Sequence, residues 1–182
     1  GAAVLHDLVS RGWRDVILLD SHRIGGGASC RSQKFAPLVP GSSEAWAMSD
    51  ARILAKEAPE IARLAPDLCQ FTTVECRMEK KAHKWLTLGG CYGLGLGKFC
   101  KSRPDGVEIS GYRFDDLGLV RRLSRSAKML GGMIAEGTTV SKITMNEDGW
   151  QLQGFDSNNE PFELGSWFVI NCTGKYASKL LE

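Results

Sequence analysis

The sequence has no long apolar segment and little excess of one charge. Its 182 residues include 23 basic and 21 acidic side chains, which gives a formal net charge of +2. A transmembrane helix needs about 20 consecutive apolar residues, and no run here approaches that length. The near balance of charges gives no electrostatic basis for binding nucleic acid or an anionic membrane. We therefore expect no transmembrane segment and no nucleic-acid partner.

Paired cysteines and clustered histidines are also missing. The six cysteines include no C-x-x-C pair, and the three histidines are isolated from one another. Structural zinc sites and thioredoxin-type redox sites depend on such spacings, so we predict no metal site. We expect His6, on the first predicted helix, to be exposed. No signal peptide is visible, since residues 1–20 are amphipathic and charged. These features favour a cytoplasmic protein whose cysteines are reduced and mostly buried.

The first half of the chain alternates between helix and strand patterns. Residues 1–12, "GAAVLHDLVSRG", have helical apolar spacing that ends at Gly12. The run "DVILLD" that follows is typical of a parallel strand buried on both faces. After a loop over residues 21–43, we predict a helix over 43–65, capped by Ser42 or Ser43 and kinked or split at Pro59.

The second half adds further strands. We predict a strand over 71–76, a helix that begins at Asp115, then strands at 133–136, 139–146 and 149–155. A short strand from Pro161 and a buried strand over 167–171 follow, and a helix begins near Lys175. The first and last strands are expected to be parallel and the middle ones antiparallel. This order indicates an α/β fold, a doubly wound nucleotide-binding sheet interrupted by insertions. Residues 77–111 give no clear assignment.

An acidic residue stands where a dinucleotide-binding fold would need one. Asp20 ends the predicted strand, 19 positions after Gly1, close to the spacing of about 20 residues between the glycine turn and the acid that binds the ribose. We infer that Gly1 is the last glycine of a G-x-G-x-x-G turn, and that the preceding strand is absent from the chain. The alternative is an ordinary α/β unit whose strand happens to end at an aspartate.

Two further stretches are compatible with a nucleotide site. In the loop after Asp20, Gly25–Gly27 allow close backbone approach, and the side chains of Ser29, Arg31 and Ser32 are suited to binding phosphate. "FVINCTG" ends at Gly174 and can place backbone close to a cofactor. The alternatives are a flexible surface loop and an ordinary turn between strand and helix. The glycine-rich "GGCYGLGLG" lacks the flanking features of a phosphate loop, so we expect a flexible turn there.

Taken together, "GAAVLHDLVSRGWRDVILLD", "IGGGASCRS", "YRFDDLGLVRRLSRSAKMLGGMI", "TTVSKI" and "FVINCTGKYASKLL" resemble one family. This is the FAD-dependent oxidoreductase superfamily of D-amino-acid oxidase, sarcosine and dimethylglycine dehydrogenases and glycerol-3-phosphate dehydrogenase. Order and approximate spacing agree over most of the chain, except residues 77–111. The resemblance implies a Rossmann-like FAD-binding domain, its first strand missing, interrupted by a partial α+β substrate-domain insertion. The FAD-binding part would be residues 1–42 and 133–182, and the insertion residues 43–132.

The resemblance also assigns cofactor-binding residues. Gly1 would lie at the FAD pyrophosphate, and Asp20 would hold the adenosine ribose, where relatives more often have Glu. Val140 would offer its backbone to the adenine. The contacts along the pyrophosphate and the flavin side would come from Gly27, Ser29, Arg31 and Ser32. The second backbone contact with the cofactor would come from Thr173 and Gly174.

The expected activity follows from the same resemblance. An enzyme of this kind oxidises an amine, an amino acid or a hydroxy compound such as glycerol 3-phosphate by hydride transfer to flavin. Cys30 and Arg31 stand where some relatives carry a flavin-linking His, which favours noncovalent FAD. Relatives continue well past Glu182, so we expect an N-terminal fragment, inactive alone, with no assignable catalytic residue. The alternatives are a noncatalytic truncated flavin-fold domain and a nicotinamide-type dehydrogenase.

Overall fold

The computed structural model describes residues 1–39, 45–78 and 80–180. Within these ranges the helices are α1 (Ala2–Ser10), α2 (Ala45–Leu64), α3 (Lys81–Gly93) and α4 (Asp116–Met129). The strands are β1 (Ile17–Asp20), β2 (Phe35–Pro37), β3 (Cys69–Arg77), β4 (Cys100–Arg103), β5 (Gly106–Phe114), β6 (Met133–Glu136), β7 (Thr139–Asn146), β8 (Gly149–Phe155) and β9 (Pro161–Ser166). Short 3-10 helices cover Ala28–Arg31, Gly97–Phe99 and Gly174–Leu180. The chain divides into unit 1, residues 1–31 and 120–182, and unit 2, residues 32–119.

A parallel strand pair forms the centre of unit 1. β1 pairs with β6 in register, from Ile17 opposite Met133 to Asp20 opposite Glu136. The apolar stripe of α1 and the buried Ala127 of α4 form one core with residues of these strands. This confirms the parallel strand predicted from "DVILLD", although its partner is β6 and not the last apolar run. The predicted burial on both faces is wrong, since Ile17 is exposed and the other three residues of β1 are only half-buried.

The rest of unit 1 is an antiparallel sheet of consecutive strands, β7, β8 and β9. β7 and β8 are joined by a tight turn at Asn146–Gly149, where Gly149 has a φ of +114°. The register shifts between Val140 and Lys142, so that β7 carries an irregularity near its start. These elements agree with the strands predicted from the alternating pattern and the turn residues.

Unit 2 is built on a second antiparallel sheet. β5 pairs along its whole length with β3 on one edge, and with β2 and β4 on the other. Cys91 of α3 and Cys100 of β4 are buried in a core with Val107 and Ile109 of β5. Burial, together with the neighbouring Cys100 thiol, raises the pKa of the Cys91 thiol to about 12. The prediction that the cysteines are mostly buried is confirmed only in part, because Cys30 and Cys172 are exposed.

The predicted buried strand at residues 167–171 is wrong. These residues adopt no regular secondary structure, and Trp167 and Phe168 are 77% and 73% exposed. Among the described strands, β1 and β6 pair only with each other, and an apolar run forms a strand only where a backbone partner is available. Phe168 instead makes an edge-to-face contact with Trp13, at a centroid distance of 6.2 Å.

Three other expectations are corrected by tertiary packing. Gly89, Gly90 and Gly93 belong to α3 and not to a flexible turn, because the buried side chains of that helix pack on β4 and β5. α2 is not split at Pro59 but runs unbroken from Ala45 to Leu64, and the nearby Ala58 is only 2% exposed, so packing offsets the lost hydrogen bond. His6 was expected to be exposed, but it is half-buried and its Nε2 lies 3.1 Å from Ser126 Oγ. The predicted cap at Ser42 or Ser43 lies outside the described residues.

No helix in the described part of the chain has the length and apolar character needed to cross a membrane.

Candidate functional site

Gly1 lies where three segments of unit 1 meet. It is the N-cap of α1, and within this helix neither a capping side chain nor an acidic first-turn residue serves the first amide groups. A Cβ built on Gly1 would stand 2.7 Å from Leu18 Cδ1 and 3.8 Å from Cys172 Cβ. The absence of a side chain therefore lets the start of α1 approach β1 and the segment that precedes Thr173. Free amides at a helix N-terminus favour a bound anion.

Asp20 ends β1 with one carboxylate oxygen already engaged. Its Oδ1 accepts a hydrogen bond from the His22 amide at 2.9 Å, and its main-chain oxygen accepts one from the Thr138 amide at 2.9 Å. Among the hydrogen bonds of the described residues, none reaches Oδ2. Asp20 can thus shape its own turn and still offer an acceptor to a hydroxyl group, as a ribose-binding carboxylate must.

The glycine loop, residues 21–31, is fixed by hydrogen bonds to its own backbone and to β6. The Ile24 amide donates to Glu136 Oε1 at 2.6 Å, and the Gly26 amide donates to the Arg23 carbonyl at 2.8 Å. The Cys30 thiol donates to the carbonyl of Gly27 at 3.1 Å. A Cβ built on Gly27 would have no heavy-atom neighbour within 4 Å, so space for a ligand borders the loop at this residue.

The side chains of the 3-10 turn Ala28–Arg31 differ in exposure. Ser29 is half-buried and Arg31 is exposed. Arg31 is therefore accessible to an anionic ligand, whose charge its guanidinium can neutralise.

Glu136, which sequence reasoning missed, stands opposite Asp20 in the parallel pairing. The pattern "MIAE" ending in an acid was the available signal, but its partner could not be identified without the register.

Ser32 belongs to unit 2, and its hydroxyl is already engaged there. It donates to Asp116 Oδ2 at the start of α4, and its oxygen accepts a hydrogen bond from the Lys34 amide at 3.1 Å. Burial raises the pKa of the Asp116 carboxyl above its usual range, with Asp115 adding to the rise and Lys34 opposing it. Ser32 is thus the one predicted site residue that the structure assigns to a different unit from the others.

The raised pKa of Asp116 predicts a specific pH dependence of stability. Because the folded state binds this proton more tightly, the contribution of Asp116 to stability is fully present below the unfolded pKa of about 3.9. It is lost as the pH rises through the higher folded pKa. From about pH 4 to about pH 7, the free energy of unfolding of Asp116→Asn should therefore rise relative to the wild type, as measured by urea denaturation.

Asp105→Asn is the matched control for this measurement, since Asp105 is an exposed turn residue of the same unit. The pH dependence of Asp116→Asn is read relative to this variant, which also removes one carboxyl group from unit 2. A relative stability of Asp116→Asn that falls with rising pH would contradict the assignment, because it would mean that the folded state favours the ionised carboxylate.

Val140 and the turn before Gly174 also lie in unit 1. Val140 is half-buried in β7, opposite Gly154 of β8, and β7 contacts the 3-10 helix Gly174–Leu180. Gly174 has a φ of +59°, a conformation that glycine adopts without strain. β7 and this 3-10 helix are therefore neighbours within unit 1.

Asn171 organises the turn and was also missed by sequence reasoning. Its Oδ1 accepts hydrogen bonds from the Thr173 hydroxyl at 2.6 Å and the Thr173 amide at 3.1 Å. Its Nδ2 donates to the Ala177 carbonyl at 3.0 Å. Because the Thr173 amide is engaged, the amide of Gly174 is the better candidate for a backbone contact with a ligand.

These features fit the adenosine and pyrophosphate part of FAD. Unit 1 contains a helix N-terminus without a capping side chain, a strand-end carboxylate with a free oxygen, and a glycine loop open at Gly27. Across the described ranges, no group of three or more His, Cys, Asp or Glu side chains is arranged to hold a metal ion. The arrangement offers groups suited to an anion and to a hydroxyl group, and it assigns no catalytic residue.

Comparisons with known proteins return one matching family and similar solved structures. The family described as FAD dependent oxidoreductase matches residues 1–182. Glycine oxidase from Geobacillus kaustophilus is similar in structure, with a TM-score of 0.73 and 17% identity, over 99% of this chain and 54% of that chain. L-Proline dehydrogenase from P. horikoshii has a TM-score of 0.67 and 13% identity, over 98% of this chain and 51% of that chain. Glycerol-3-phosphate dehydrogenase from Bacillus halodurans, complexed with FAD, has a TM-score of 0.64 and 16% identity, over 96% of this chain and 32% of that chain.

The chain thus spans about a third to a half of the length of these solved relatives. They confirm the predicted α/β fold class. A search of the curated proteins finds no match.

Proposed function

The chain belongs to the FAD-dependent oxidoreductase family, and from this premise we propose that it binds the ADP part of FAD within an enzyme that oxidises a small molecule. Residues 1–42 and 133–182 form the proposed FAD-binding part. The observation that carries the proposal is the junction at Gly1, where the start of α1 meets β1 and the segment before Thr173. Two stretches that the sequence suggested separately, the unit from Gly1 to Asp20 and "FVINCTG", are neighbours there.

The proposal assigns roles to residues of unit 1. The first amides of α1 and the Arg31 guanidinium bind the negative charge of the pyrophosphate. Asp20 accepts hydrogen bonds from the ribose hydroxyls through the oxygen that its own turn leaves free. Gly27 and Ser29 line the path toward the flavin, and Val140 and Gly174 offer backbone groups. No covalent link to these residues is proposed, and FAD when bound supplies the hydride acceptor.

The substrate is proposed as a class. Glycine oxidase and L-proline dehydrogenase act on amino acids, and glycerol-3-phosphate dehydrogenase acts on a hydroxy compound. All three substrates present a C–H bond next to a nitrogen or an oxygen, whose lone pair supports loss of hydride. We therefore propose an amine, an amino acid or a hydroxy compound such as glycerol 3-phosphate.

The test is a titration of the purified chain with FAD, followed by flavin fluorescence and equilibrium dialysis. We expect saturable binding of FAD that ADP-ribose displaces, and that NAD displaces no better than ADP-ribose does, because NAD shares only its ADP part with FAD. Addition of glycine, L-proline or glycerol 3-phosphate without oxygen then shows whether the visible flavin absorbance is bleached. A folded chain that takes up neither FAD nor ADP-ribose would refute the proposal. Bleaching by any of the three would identify the substrate class and exclude a noncatalytic flavin-fold domain, whereas binding without bleaching agrees with the expectation that the chain is inactive alone. Tighter binding of NAD than of FAD would favour a nicotinamide-type dehydrogenase.

A further inference from the structure

We infer that Glu136 is a positioning residue, which holds the glycine loop in the conformation that receives the pyrophosphate of FAD. The inference rests on the proposed function, because it concerns the same ligand. Glu136 is the last residue of β6, and the Ile24 amide directly before Gly25 donates to its Oε1 at 2.6 Å.

The bond to Ile24 is part of a series of contacts between the same two segments. Asp20 is the register partner of Glu136, the Thr138 amide donates to the Asp20 carbonyl at 2.9 Å, and the Gly137 amide donates to the His22 carbonyl at 3.3 Å. The two main-chain bonds hold the loop only as far as His22. The side chain of Glu136 extends the attachment by two residues, to the start of the glycines.

The bond from the Ile24 amide to Glu136 lies next to the three glycines, so its loss should affect their backbone conformation. Gly25 has a φ of +83°, and glycines have more conformational freedom than other residues. A run of three glycines therefore needs an external contact to select one backbone conformation. Among the described hydrogen bonds at Ile24–Gly27, the Ile24 bond to Glu136 is the one that ties the glycines to β6.

The charge of Glu136 argues against a direct role in phosphate binding. A carboxylate repels a pyrophosphate, so its presence near the loop is explained by a stronger hydrogen bond to the Ile24 amide. Glu136→Gln keeps an oxygen acceptor without the charge, whereas Glu136→Ala removes the acceptor. The two variants therefore separate positioning from electrostatic repulsion.

The experiment compares binding of FAD, ADP-ribose and adenosine to the wild type, Glu136→Ala and Glu136→Gln. We expect Glu136→Ala to bind FAD and ADP-ribose about tenfold more weakly, the size of one lost hydrogen bond to a charged group. Adenosine, which has no phosphate, should bind as it does to the wild type. Glu136→Gln should recover most of the affinity. Glu147→Ala, which removes an exposed carboxylate from the turn between β7 and β8, is the control.

A second measurement does not depend on FAD. Amide hydrogen exchange, followed by NMR, should show the Ile24 amide exchanging about tenfold faster in Glu136→Ala than in the wild type. If the wild type binds no FAD while Ile24 loses protection in the variant, the proposed function fails and the positioning of the loop stands. Unchanged Ile24 exchange in Glu136→Ala would overturn the inference. Equal weakening of adenosine and ADP-ribose, or tighter FAD binding by both variants, would overturn it as well.

Discussion

Gly154→Ala is expected to lower the free energy of unfolding by about 3 kcal/mol, at the upper end of the usual cost of overpacking. A Cβ built at this position collides with the main-chain oxygen of Thr139, and it stands 2.9 Å from the Thr139 carbonyl carbon and 3.0 Å from Phe162 Cε1. The obstruction is backbone, which cannot rotate away as the end of a side chain can. β8 is the central strand of its sheet, so the strands on both sides would have to move.

Urea denaturation followed by circular dichroism measures this effect. Gly165→Ala is the matched control, since the nearest atom to its Cβ is Gln151 Oε1 at 3.7 Å, an ordinary contact. Gly165 lies in β9 of the same sheet, and its substitution should change stability by less than about 1 kcal/mol. Equal stability of Gly154→Ala and Gly165→Ala would show that the sheet relaxes around the new methyl group.

The second large effect concerns FAD binding. Asp20→Ala should weaken it by about 1.5–3 kcal/mol, because the hydrogen bonds that the ribose hydroxyls donate to the charged carboxylate are lost. That range corresponds to about tenfold to 150-fold in the dissociation constant. Asp20→Asn retains an acceptor for the His22 amide, whose bond to Oδ1 shapes the turn. It should therefore bind FAD with an intermediate affinity, and dialysis against labelled FAD gives all three constants.

Asp148→Ala serves as the control for Asp20. It removes one negative charge from an exposed turn of the same unit, so it accounts for any change that net charge alone would cause. Asp20→Ala should also weaken binding of adenosine, because the ribose is common to both ligands. FAD affinity in Asp20→Ala equal to that in Asp148→Ala would exclude Asp20 from the site.

Local patterns were sufficient to predict the parts of the fold whose stability depends on near neighbours. The apolar spacing of α1 and its end at Gly12, and the turn at Asn146–Gly149, are encoded within a few residues. The parallel strand that ends at Asp20 was predicted for the same reason, since a short apolar run flanked by charges is specific enough. These elements also position Gly1 and Asp20, so much of the candidate site could be predicted.

The remainder depended on partners far away in sequence. The apolar run at Trp167 has the composition of a strand, but its backbone pairs with no other described strand. α3 forms through a glycine-rich stretch because Leu88 and Cys91 are buried in a core shared with β5. Glu136 bonds to a residue 112 positions away, and the acid at the end of "MIAE" does not by itself indicate which segment it contacts. Sequence spacing cannot provide such information without the register of the strands.

Because the cysteines differ in exposure, their reaction with a thiol reagent can be used to follow changes in each unit separately. Thiol reagents react with the thiolate, which is the nucleophile, and burial raises the pKa of the Cys91 thiol in unit 2 to about 12. In unit 1 the exposed Cys30 belongs to the glycine loop, and the exposed Cys172 lies shortly before Gly174. An alkylating reagent would therefore label the surroundings of the proposed nucleotide site in the folded protein, and reach Cys91 only when unit 2 opens. One reaction thus follows ligand occupancy in one unit and unfolding in the other.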